Sequence, residues 1–215
     1  VIAVIAILLT AASVGIQGIG KGQATTSALA VTEALFDEAR SLAVGRGRRV
    51  RLVIHNNLDD SNPLDKERYL RYFCIAVLEP TSDSPEADPE QGTWRVVSRG
   101  TTLPAGVFFS PEETEATANS LSGSGGIGKV GRMSLLLPGD KTSPRQCYYY
   151  EFNAEGICVD GDLQGAQPGA AFILVAGTRR PGQPEPQISN DNKVGFVIWR
   201  NGRTSLFRSP EQMES

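Results

Sequence analysis

The stretch Leu35–Leu52, LFDEARSLAVGRGRRVRL, contains the point at which the hydrophobic period of the chain changes. Reading back from it, Ala28, Val31, Leu35, Ala39 and Leu42 form one stripe at helical spacing, with Glu33, Asp37 and Arg40 on other faces. Val31, Leu35, Ala39 and Leu42 are the positions expected to pack on the rest of the fold. Gly45 and Gly47 then supply the permissive backbone on which a helix ends. Reading forward, Val50, Leu52 and Ile54 alternate with Arg49, Arg51, Val53 and His55, which is the period of a strand with one face turned inward. That alternation places His55 on the outer face, solvated, beside two arginines. A helix that leads directly into a first strand predicts an α+β fold, with the helix packed on its own antiparallel sheet.

Outward on the N-terminal side, Val1–Ile16 reads VIAVIAILLTAASVGI, with no charge and only Thr10 and Ser13 as polar breaks. Val1, Ile2, Val4, Ile5, Ile7, Leu8, Leu9, Val14 and Ile16 form an apolar segment suited to a membrane or to the core of a helical bundle. It is a little short of the roughly 20 residues a bilayer span takes. A cleaved signal peptide is a further reading, since Thr10-Ala11-Ala12-Ser13 offers small residues, but no basic segment precedes it and the helical pattern continues past it. The chain opens on Val rather than Met, so further residues are expected to precede Val1. Gly15, Gly18, Gly20 and Gly22 form a joint, each weakening a helix by about 0.8–1 kcal/mol relative to Ala, and a bend or melted segment is expected there. The division expected is a helix over 1–48, apolar over 1–16 and amphipathic over 23–44, followed by a β-rich head over 49–215.

The head reads as eight or nine short strands. Tyr69–Leu78 is almost wholly apolar or aromatic, as a central strand covered on both faces would be. Asn56–Arg68, Glu79–Thr93 and Ser110–Gly131 read as polar loops, and Asn201-Gly202 reads as a two-residue type I′ hairpin turn. The 23 Gly and 13 Pro fit a fold of many turns.

Composition excludes much. A net charge of -3 gives no global basic field for nucleic acid. One histidine, His55, removes most metal sites and nearly every Ser-His-Asp or Cys-His arrangement. Gly123–Lys129, GSGGIGK, satisfies two phosphate-loop patterns, yet no buried strand precedes it, Val130 follows the lysine, and a strand-like segment comes next; it reads as a surface loop. Asp160 and Asp162, and Asn190-Asp191-Asn192, could offer oxygen ligands to calcium, but neither matches the spacing of a known loop. Arg46, Arg48, Arg49 and Arg51 lie where they complement a helix C-terminus. They sit about 45 Å of helix beyond Ile16, too far for contact with lipid headgroups. Of the three cysteines, Cys147 and Cys158 invite a bridge. With a four-residue loop over Asn153–Gly156, Phe152 pairs with Ile157 and Cys158 faces Glu151. Cys147 is then roughly 13 Å away along the strand, against the 7 Å or so a disulfide allows. No disulfide is expected, and the thiols read as buried.

VIAVIAILLTAA resembles the inner part of the type IV pilin-like N-terminal helix, although the Phe-Thr-Leu-x-Glu start that family members usually carry is absent. LFDEARSLAVGRGRRVRL resembles the minor pseudopilins of the GspH/FimT kind, in which an A-R-x-x-A helix end leads into a basic first strand. Ala39, Arg40 and Ala43 match the first part, and Arg49, Val50 and Leu52 the second. Leu103–Val107 resembles that family's LPxGV segment, Phe152–Gly156 its F-x-x-x-G turn, and Asn201-Gly202-Arg203 its closing hairpin. The set also resembles the pilin-like cassette proteins of Verrucomicrobia. The resemblance implies a structural subunit, without catalysis or cofactor, assembled through its N-terminal helix into a type IV pilus-like or type II secretion filament. Its partners would be identical or related pilin subunits. It would reside in the bacterial inner membrane before assembly, and in a periplasmic or extracellular filament afterwards. Some relatives hold calcium in C-terminal loops, and some bind DNA through a basic C-terminal segment. Here Arg200, Arg203 and Arg208 are diluted by Glu211 and Glu214, which counts against nucleic acid. The alternative is a membrane-anchored or secreted β-domain that binds a ligand or partner, DNA in uptake included, through its long loops.

Overall fold

Helix α1, Ile2–Arg46, leads directly into the first strand of the domain it is packed against. The computed structural model describes residues 2–59, 62–80, 91–121, 130–140, 143–159, 169–180, 183, 185–199 and 203–207, with side chains from residue 23 onward and not at 119–121, 189–192 or 207. α1 is helical throughout, so no melted segment interrupts it at Gly15, Gly18, Gly20 and Gly22. Glycine lowers helix propensity but keeps its N–H donor, and the ladder can run through it. Among the described residues no helix is long and apolar enough to cross a membrane.

The C-terminus of α1 is a Schellman motif. Gly47 adopts φ +60, its N–H donates to Val44 C=O at 3.3 Å, and the Arg48 N–H donates to Ala43 C=O at 3.2 Å. This turn reverses the chain into β1, Val50–His55.

The other elements are α2 (Pro63–Arg68), β2 (Tyr72–Pro80), β3 (Gly92–Val96), β4 (Thr101–Thr102), β5 (Val107–Phe109), α3 (Pro111–Leu121), β6 (Gly131–Leu135), β7 (Arg145–Phe152), β8 (Cys158–Val159), β9 (Gly169–Thr178), β10 (Gln187–Trp199) and β11 (Thr204–Phe207). The strands form two antiparallel sheets. One runs β3-β2-β1-β7-β6, with β4 on β2 and β8 on β7; the other runs β11-β10-β9-β5. The fold class is α+β, a long N-terminal helix packed on antiparallel sheets.

Two segments that read as loops are partly helical. Ser110-Pro111-Glu112-Glu113 starts α3: Ser110 Oγ accepts from the Glu113 N–H at 3.3 Å, with Pro at the first helical position and two acids in the first turn. α3 covers β9 where β5 stops. The Ile173 N–H, left without a strand partner, donates to Thr114 Oγ1 at 3.1 Å, and Ile173 C=O accepts from the Ser110 N–H at 3.0 Å. Asn62 caps α2, accepting from the Leu64 N–H at 3.0 Å, and β2 therefore begins at Tyr72 rather than Tyr69. β2 is buried on both faces from Tyr72 to Leu78.

The hairpin register also differs. Ile198 pairs with Thr204, and the Trp199 N–H donates to Arg203 C=O. Three residues, 200–202, then separate the pair, so the turn is not a two-residue type I′. Their own conformation lies outside the described residues.

Candidate functional site

The helix seat is built around Phe36. Its ring lies edge-on to Tyr150 (5.0 Å between centroids) in β7, and to Phe172 (5.3 Å) and Phe196 (5.1 Å) in β9 and β10. One side chain thus engages both sheets. Leu35 and Ala39 are buried in the same core, and Val31 and Leu42 are half-buried against it. Thr32 is fully buried, and its hydroxyl donates to the C=O groups of Ala28 (3.0 Å) and Leu29 (2.9 Å), so no polar group is left unsatisfied there. Thr204 Oγ1 donates to Glu33 Oε1 at 2.6 Å and ties the last strand to the helix. From Gln23 onward, the face opposite the seat (Thr26, Ser27, Ala30, Ala34, Asp37, Glu38, Ser41) is exposed.

The turn Phe152–Gly156 docks on the end of α1. Gly156 has φ +74, and a Cβ there would stand 2.7 Å from Val44 Cγ2. Its C=O accepts from Arg40 Nε at 3.3 Å. Only a glycine meets both the backbone and the space requirement. The register pairs Phe152 with Cys158 and Glu151 with Val159, one residue away from the pairing a four-residue loop implies. The Asn153 side chain accounts for the extra residue, since its Oδ1 accepts from the N–H groups of Glu155 (3.1 Å) and Ile157 (2.9 Å). Cys74, Cys147 and Cys158 are buried thiols, not joined in a disulfide.

Two of the four arginines at and after the helix end do something other than complement its dipole. Glu151, its side chain fully buried, accepts from Arg49 at 2.5 Å and Arg51 at 2.7 Å. The Arg51 guanidinium is stacked between Trp94 and Tyr149, 3.9 and 3.8 Å from their centroids. Arg46 remains exposed in the last helical turn.

His55 is not a solvated residue of an outer face. It is 1% exposed, because that face carries a second, smaller core of Val53, Tyr72, Cys74, Ala76, Leu135, Leu137, Cys147 and Tyr149. Alternation reports that a strand has two faces, not that the second one is wet. His55 Nε2 lies 3.3 Å from Asp65 Oδ1, and Asp65 is held by Arg145 (2.8 Å) and by the Asn57 amide (3.1 Å). Burial pushes the imidazole pKa below its usual value, against the pull of Asp65. Cys147 lies directly across from His55 in the β1–β7 register. Burial pushes its thiol up to about 12, the reverse of an activated nucleophile.

Among the described residues no group of three His, Cys, Asp or Glu side chains could hold a metal. Asp160, Asp162, Gly123–Lys129, Arg200 and Arg208 lie outside the described residues, as do the side chains of Val1, Ile2, Val4, Ile5, Ile7, Leu8, Leu9, Val14 and Ile16. Residues 190–192 lie within β10, next to its irregularity between Ser189 and Lys193. Phe36 and Glu151 were missed from sequence. Phe36 has a usable signal in its spacing to Thr32 and Ala39, and Glu151 in being a lone carboxylate within YYYEF.

No protein-family model and no curated protein matches the chain. Among solved structures, it is similar to the type IV minor pilin FimU of Pseudomonas aeruginosa (strain PAO1), at 16% identity over 86% of this chain and 92% of that one, with a TM-score of 0.41. At that score the likeness is one of outline alone.

Proposed function

We propose that the chain is a structural subunit, a minor pilin or pseudopilin, of a type IV pilus-like or type II secretion filament, built in through α1. The observation that carries this reading is the continuity of α1: an uncharged N-terminal stretch continues, without a break in the helix, into the segment whose Phe36 is locked between both sheets of the head. At 1.5 Å per residue this helix is about 68 Å long, and among the described side chains the positions that join the head core begin at Ala24. The residues before Ala24 are left for a membrane first and for a bundle of like helices later. Apolar area stays out of water in both settings, so the transfer carries little hydrophobic penalty. The glycine joint lets the helix bend within the bundle, and a head clamped to the helix carries its loops outward to lateral or tip contacts.

Electron microscopy of the protein from its native source tests the reading. Helical filaments with residues 1 to about 44 in a central bundle are expected. A monodisperse monomer in detergent, encoded without a prepilin peptidase or assembly ATPase nearby, would overturn it.

A further inference from the structure

His55 is the single histidine of the chain, and its surroundings do no work for a helix seat. Neither ring nitrogen has a hydrogen-bond partner, although the residue is 1% exposed. The charges around it come from three directions. α2 brings Asp65 and Arg68, the turn after β6 brings Asp140, and β7 brings Arg145. Two carboxylates face two guanidiniums, so the cluster is balanced with a neutral imidazole. Tyr72 and Cys147, the other titratable neighbours, stay neutral, because burial pushes both up to about 12. A proton on His55 would add one uncompensated positive charge where water cannot reach.

The element able to relieve that charge is α2. It has only six residues, too few to be stable alone. It is held by the buried Asp65, by Arg68 donating to Pro138 C=O at 2.9 Å, by Arg179 donating to Lys66 C=O, and by the Leu70 N–H that follows it donating to His55 C=O at 2.9 Å. Its other side, with Pro63, Leu64 and Glu67, is exposed.

We infer that His55, Asp65 and Arg145 form an acid-sensitive latch that holds Asn62–Arg68 against the sheet, and that a proton on His55 releases this segment. The direction follows from linkage. A group that binds protons less readily in the closed form than its ordinary value of about 6.5 favours the open form as pH falls below that value, and favours closure above it. The latch gives the head one surface at neutral pH and another in acid, and it does not depend on filament assembly.

Two measurements on the full chain test it between pH 8 and pH 5. Because there is one histidine, its imidazole resonance reports His55 without ambiguity. Hydrogen exchange, corrected for the intrinsic pH dependence, reports the segment. The resonance is expected to titrate with a midpoint below 6.5, and peptides covering 62–68 to exchange about tenfold faster across the same interval, while β9 stays protected. His55→Gln is expected to abolish the acid response. A midpoint at or above 6.5, unchanged exchange over 62–68 through the titration, or the same acid response in His55→Gln would each overturn the latch. Should that variant fail to fold, the coincidence of the two wild-type midpoints decides.

Discussion

Phe36 meets Phe196 edge-on, with ring centroids 5.1 Å apart and planes at 90°. One residue belongs to the N-terminal helix and the other to the second sheet, 160 positions later. The pair fixes the N-terminal helix to the second sheet of the head. Phe36→Ala removes this contact together with those to Tyr150 and Phe172, and is expected to cost about 3–5 kcal/mol. Phe36→Leu, which keeps part of the volume, should cost less. Urea denaturation of the two variants measures the difference, and equal stability to wild type would mean that the helix is not seated as described.

Glu151 concerns charge rather than volume. It is fully buried and accepts from Arg49 and Arg51. Glu151→Ala leaves two guanidiniums without their carboxylate and is expected to cost about 3–5 kcal/mol. Arg51→Lys is expected to destabilise more than Arg49→Lys, because Arg51 alone is stacked within 4 Å of both Trp94 and Tyr149, and an ammonium cannot reproduce that planar stacking. Thermal denaturation of the three variants side by side gives the order.

Gly156 links the Phe152–Gly156 turn to the helix end. Gly156→Ala meets a left-handed backbone and the Val44 side chain at once, and a loss of about 1–3 kcal/mol is expected. Val44→Ala in the same chain should recover the part due to the clash and leave the part due to φ. A double-mutant cycle separates the two, and strict additivity would show that the turn does not press on the helix.

The thiols give a prediction that needs no variant. Cys74, Cys147 and Cys158 are buried, and burial holds the Cys74 and Cys147 thiols protonated well above neutral pH. The native chain at pH 8 is expected to leave all three unlabelled by an aromatic disulfide reagent and to yield three thiols once unfolded. Rapid labelling of the native protein would contradict the burial of these residues.

The change of period between Leu35 and Leu52 settled the order of elements, and Gly47 the place where the helix stops. These are local properties: spacing selects the face of a helix or strand, and a glycine selects the backbone of a cap. The apolar run of β2 was readable for the same reason. The N-cap Ser110, followed by Pro111 and two acids, was equally local and was there to be read as the start of α3.

What the fold decided for itself depends on which strands lie side by side. His55 sits on a strand whose alternation says that it has two faces, and only the second small core, with α2 and β7 around it, made the outer one dry. Glu151 was one carboxylate in an apolar strand until β1 placed Arg49 and Arg51 beside it, a hundred residues away in sequence. Phe36 was one apolar residue next to the stripe until β7, β9 and β10 closed around it. Period and propensity act over a few residues, whereas burial and charge compensation act between elements brought together by the fold, so the helix and its packing stripe could be read from the sequence and the partners that seat them could not.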